Sequence, residues 1–117
     1  MTLNEYQEKA MTTCMGTCNN FSYMMLNLVG EMGEFAGKIA KMIRKKDAVI
    51  GGSSLFVSEE GLLMDEELMK EAGDMLWQLS GLCKVMGWKL EDVALMNLDK
   101  LASRKDRGVI DGNGDNR

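Results

Sequence analysis

No proline occurs anywhere in the 117 residues of this chain. Proline is the residue that most reliably ends a helix, because it lacks the backbone N–H and crowds the turn before it. Without it, apolar residues at helical spacing carry a helix on for as long as their pattern lasts. The spacing predicts helices over residues 3–13, 21–46, 65–87 and 90–107. Gly16, Asn19 and Asn20 break the first from the second. Asp65 is placed to cap the third, with Glu66 and Glu67 following at the positive end of its dipole.

Residues 47–64 lie between the two longest helices. Gly51, Gly52, Ser53 and Ser54 mark this stretch as a loop. Leu55, Phe56 and Val57 suit a short strand but have no obvious partner. Two long helices joined by one loop pair antiparallel. The expected fold is all-α and four-helix-bundle-like, with an antiparallel central helix pair, in one domain of residues 1–117. Residues 108–117 form a glycine- and asparagine-rich tail.

On a wheel at 100° per residue, the polar groups of the second helix occupy only about 80° of its circumference. That stripe holds Asn27, Glu31, Glu34, Lys38, Lys41 and Lys45. Phe21, Met24, Leu28, Met32, Phe35, Ile39 and Met42 centre the apolar side, and Gly30, Gly33 and Gly37 cover the remaining flank. On the third helix, Glu71, Asp74 and Gln78 line one edge of the apolar face. Both acidic stripes are offset from their apolar centres in the same rotational sense, so antiparallel pairing turns both into the groove between the helices. Glu31, Glu34, Glu71 and Asp74 then converge. Four close carboxylates repel unless cations sit among them. Magnesium takes about six oxygens and shares substrate phosphates, and two such ions polarise a phosphate and acidify a water. The same spacing also suits an ordinary solvated face with Glu34 and Lys38 as an i,i+4 pair, and periodicity alone does not choose.

The chain has no histidine. That excludes a histidine general base, a Ser-His-Asp triad, Cys₂His₂ zinc and the Glu-x-x-His motif of di-iron bundles. Any metal would be held by oxygen, which points to magnesium, manganese or calcium. A net charge of −4 argues against a nucleic-acid backbone as partner. Cys14, Cys18 and Cys83 are too few and too odd in number for a disulfide framework, and reduced thiols are expected. No apolar run approaches the ~20 residues that cross a bilayer. The first ten residues lack a basic region followed by an apolar stretch, so a cytoplasmic chain is expected.

G-E-M-G-E-F at residues 30–35, followed by K-E-A-G-D-M-L-W at 70–77, resembles the E-x-x-E…E-x-x-D signature of MazG-like nucleotide pyrophosphohydrolases. N-E-Y-Q-E-K-A at 4–10 looks like the start of phage and bacterial members. L-D-K-L-A-S-R-K-D-R-G-V-I-D-G-N-G-D-N-R at 98–117 is similar to the C-termini of small single-domain ones. The resemblance covers nearly the whole chain apart from the central loop. Thirty-six residues lie between Glu34 and Glu71, more than is usual in the family, so substrate contacts from that loop do not carry over.

The resemblance implies an enzyme that cleaves the α–β phosphoanhydride of a nucleoside triphosphate, standard or damaged, to a monophosphate and pyrophosphate. Glu31, Glu34, Glu71 and Asp74 would be catalytic and would hold Mg²⁺, with Mn²⁺ as a substitute. One of the glutamates would orient or deprotonate the attacking water. Asn97, Lys100 and Arg104 resemble a motif of the last helix and share one face, where they would meet phosphate or sugar. Simple solvation is the other reading of the two cations. Lys38 and Lys41 would neutralise the leaving pyrophosphate or pair with the acids, and for Lys41 pairing is expected. Trp77 and Trp88 could stack on a base, but packing is the expected role. Two alternatives remain: a helical nucleotide-sensing or oligomerisation module without turnover, and a narrow-substrate relative acting on dUTP, dCTP or phosphoribosyl-ATP. The narrow polar stripe of the second helix, in a chain with few other helices to cover the rest, predicts a homodimer or homotetramer.

Overall fold

The computed structural model describes residues 1–62 and 64–117, with α1 at Leu3–Met11, α2 at Phe21–Arg44, β1 at Ala48–Gly51, β2 at Ser54–Val57, α3 at Glu59–Leu62, α4 at Asp65–Val85 and α5 at Leu90–Asp106. The expected all-α class holds: α1, α2, α4 and α5 are the four helices read from periodicity. Residue 63 of the expected loop lies outside the described residues.

Helix starts follow local side-chain chemistry. The Thr2 hydroxyl accepts from the Glu5 N–H at 3.1 Å while Glu5 accepts from the Thr2 N–H at 2.7 Å, a reciprocal capping box. Asn20 caps α2 by accepting from the Tyr23 N–H at 2.9 Å. Asp65 does not cap α4. Met64 holds that position without a side-chain bond, and Asp65, Glu66 and Glu67 fill the first turn, where their charge still favours the dipole. α2 stops at Arg44, two residues early, with Lys46 at φ 63°. Gly87, at φ 74°, ends α4 where the sequence places a stop.

α2 and α4 form the main packed pair, and their contacts fix an antiparallel register. Near the start of α2, Met24 is fully buried against Gly81, near the end of α4. Near the end of α2, Lys38 reaches Glu67 and Glu71, near the start of α4. A side chain at Gly81 would collide with Met24, so glycine is what lets the two helices close there.

α1 lies across the far end of this pair and holds α5. Gln7 donates to the carbonyls of Ser80 at 3.2 Å and Trp88 at 3.1 Å, and accepts from the Leu90 N–H at 2.9 Å. Asn4 accepts from the Glu91 N–H at 3.1 Å. α5 has no side-chain cap of its own, so α1 satisfies two of its orphan donors. The Trp77 indole donates to the Ala10 carbonyl at 3.1 Å and the Thr13 hydroxyl at 2.9 Å, which fits the packing role expected for it.

The central segment is a correction. Leu55–Val57 does have a partner, because Ala48–Gly51 pairs with Ser54–Val57 in an antiparallel hairpin in the register Ala48↔Val57, Val49↔Phe56, Ile50↔Leu55. Gly52, at φ 60°, opens its two-residue turn, where a positive φ matches the twist of the strands.

Candidate functional site

The antiparallel register lays the polar edge of α2 along that of α4. One carboxylate oxygen from each of Glu31, Glu34 and Glu71 lies within 4.8 Å of the others. Asp74 stands outside this trio, yet its charge reaches both Glu31 and Tyr6. Three of the four acids read from the sequence are therefore brought together, and the fourth is beside them.

Glu31 and Glu71 are half-buried, while Glu34 and Asp74 are exposed. Asn27, one turn before Glu31, donates to its Oε1 at 3.2 Å. Lys38 lies 3.3 Å from Glu71 Oε1 and 3.5 Å from Glu67 Oε2. The other oxygen of each half-buried acid, Glu31 Oε2 and Glu71 Oε2, is buried and has no hydrogen-bond partner. Burial, then the charges of Glu34 and Asp74, raise the pKa of Glu31 above its ordinary value, and the Asn27 bond only partly offsets this. An orphaned buried acceptor is costly to keep. An all-oxygen set with two such orphans fits a hard divalent cation such as Mg²⁺ or Mn²⁺, which would accept those lone pairs and relieve the repulsion.

Lys38 pairs with acids of α4, not with Glu34 one turn away, and its bond to Glu71 raises its pKa and keeps it charged. Lys41 makes no ion pair among the described residues, contrary to the pairing expected for it. With Lys38, Met42, Lys45, Asp47 and Met64 it lines a cavity of about 150 Å³ at the end of α2. A roomier hollow of about 490 Å³ beside the hairpin has Asp47 as its one carboxylate among the described residues. Trp88 lies past the end of α4, whose last residue, Val85, is fourteen residues, or about 21 Å, along the axis from Glu71.

The α5 residues sit apart. No hydrogen bond or ion pair among the described residues joins Asn97, Lys100 or Arg104 to the four acids. Asn97 is exposed. Lys100 and Arg104 both bind Asp115 of the tail, at 3.1 and 2.9 Å, and Arg104 also donates to the Gly114 carbonyl at 3.3 Å. Arg104 is only 6% exposed, so it is a buried anchor for the tail and not a solvated cation. Arg117 fastens the tail by donating to the carbonyls of Val109, Ile110 and Gly114. Sequence reasoning missed Glu67 and Asp115. Glu67 was findable, four residues before Glu71 on the same helix face. Asp115 lies in a tail without periodicity and left no such signal.

Among proteins of known sequence, the family described as the MazG nucleotide pyrophosphohydrolase domain matches residues 19–109, which include all four acids. The chain is 40% identical to the Gene 37 protein of Mycobacterium phage L5 over the full length of both. No solved structure matches. The paired acids on α2 and α4 and the match over most of the chain agree, and this chain belongs to the MazG nucleotide pyrophosphohydrolase family.

Proposed function

We propose that this chain is a magnesium-dependent hydrolase that converts nucleoside triphosphates, including non-standard or damaged ones, to the monophosphate and pyrophosphate. One observation carries the reading: three carboxylates meet between two helices, and two of them keep a buried oxygen without a partner. A non-catalytic scaffold gains nothing from that arrangement, which costs stability until a cation fills it.

Glu31, Glu34, Glu71 and Asp74 would hold the magnesium, with manganese as a substitute. Magnesium there supplies charge neutralisation for the phosphates and lowers the pKa of a water. The chain's own residues do the rest. Asn27 orients Glu31 through its donated bond. Lys38 orients Glu71, also pairs with Glu67, and keeps one ammonium proton for incoming phosphate. Glu34, exposed like Asp74, would take the proton of the attacking water. Lys38, Lys41 and Lys45, around their cavity, provide positive charge for the leaving pyrophosphate. Asn97 and Lys100, with Arg104 behind them, would meet phosphate or sugar from α5. No helix among the described residues is long and apolar enough to cross a membrane, and we place the chain in the cytoplasm, acting on free nucleotides.

The test is pyrophosphate release from a nucleotide panel, with magnesium and with chelator. Turnover that needs the metal and is lost in Glu34→Gln supports the reading. Nucleotide binding without turnover would make the chain a sensing module.

A further inference from the structure

Charge changes along the groove between α2 and α4. At the end of α2, Lys38, Lys41 and Lys45 surround the cavity described above. The acids come next. Toward the start of α2 the groove becomes polar but uncharged: Asn27 is one turn from Glu31, and Tyr23 one turn further. Opposite them on α4, Gln78 follows Asp74 by one turn, which places it seven residues, or about 10 Å, along the axis from Glu71. Tyr6 of α1 comes close enough to Asp74 to feel its charge.

Gln78 is only 3% exposed, and its Oε1 is buried with no hydrogen-bond partner. Beside it stands the hydroxyl of half-buried Tyr23, which also neighbours Cys18 and Glu31. Phosphates are drawn to the lysine end, and a neutral base is not. An orphaned amide oxygen behind a phenol is what a site built to hydrogen-bond a ligand leaves exposed to loss when empty.

We propose that the nucleoside of the substrate lies at the Tyr23 end of the groove, where the polar edge of its base is read by the Tyr23 hydroxyl with the Gln78 carboxamide behind it. This rests on the hydrolase reading and adds to it the direction of the substrate and the residues that set base preference. The terminal phosphates run toward Lys41 and Lys45. Tyr23 makes the contact. Gln78 is a positioning residue: its amide N–H donates toward the Tyr23 hydroxyl oxygen, which leaves the hydroxyl proton to face the base.

The test compares Tyr23→Phe, Gln78→Leu and Gln78→Met with the wild-type chain in magnesium-dependent pyrophosphate release from ATP, GTP, CTP, UTP and their deoxy forms. Inorganic tripolyphosphate serves as a competitor without a base. The expected result is a KM for the preferred nucleotide raised roughly fivefold or more, with kcat changed less. The preference among bases flattens, and inhibition by tripolyphosphate stays as in the wild type. Both Gln78 variants keep wild-type helicity by circular dichroism, since leucine and methionine are good helix formers of similar volume. Variants that keep the wild-type base preference overturn the proposal while leaving the hydrolase reading standing. So does a KM rise matched by an equal weakening of tripolyphosphate inhibition. A wild-type chain that releases pyrophosphate from none of the nucleotides overturns both.

Discussion

Among single residues, the four acids carry the chemistry, and each tests a different part of it. Glu34→Gln and Asp74→Asn are expected to lower turnover at least a hundredfold with helicity unchanged, since both side chains are exposed and support no packing. Circular dichroism beside the activity assay checks this, and near-wild-type rates in both would remove the acids from the site. Glu31 has a pH consequence. Its pKa is raised in the folded chain, chiefly by burial and then by Glu34 and Asp74. The folded state therefore binds its proton more tightly than the unfolded state does. Its stabilising share is full below the ordinary glutamate value of about 4.3 and is lost as pH rises through the raised value. Metal-free wild type should lose melting temperature over that window, and Glu31→Gln should lose less. Identical pH profiles for the two would contradict the burial of this charge. On α5, Asn97→Ala and Lys100→Ala are expected to raise KM with the fold unchanged, and unchanged kinetics in both would remove that face from the substrate. The acids were legible in the sequence because 3.6-residue periodicity places them on facing edges of two helices. The burial of Arg104 was not legible, because it depends on Asp115 in an irregular tail.

Among elements, what the sequence revealed depended on period. Helices with long uninterrupted stripes were readable to within two residues at most ends, and the polar edges that line the groove came with them. The hairpin was not readable, because β1 and β2 are four residues each, too short for alternation to stand out beside a run of Gly and Ser. The mutual approach of α2 and α4 also lies beyond periodicity. It depends on Met24 entering the space above Gly81. Gly81→Val should cost about 1–3 kcal/mol by overpacking, read as a drop in melting temperature, with activity falling as the groove widens. A variant as stable and active as the wild type would mean that the groove does not depend on this contact.

The whole molecule is too open for a chain of its size. Its radius of gyration is 17.6 Å, against about 13 Å expected for a compact domain of this length. Leu26 is 75% exposed and Val29 65% on α2, and Met96 is 77% exposed on α5. Such apolar area, left uncovered by the other described residues, is what a second copy would bury. We expect a homodimer or homotetramer in solution. A side chain at Gly33 would meet nothing within 4 Å in its own protomer, so Gly33→Leu separates assembly from folding. It should weaken the oligomer in light scattering while leaving helicity intact. A wild-type chain that runs as a 13.0 kDa monomer and still hydrolyses nucleotides would refute the assembly. The central claim is that the acidic groove cleaves between the α and β phosphates, and ³¹P NMR of a nucleoside triphosphate incubated with the protein and magnesium tests it most directly. The account predicts monophosphate and pyrophosphate in equal amounts, with neither formed under chelator. Diphosphate and inorganic phosphate as products, or an unchanged triphosphate, would contradict it.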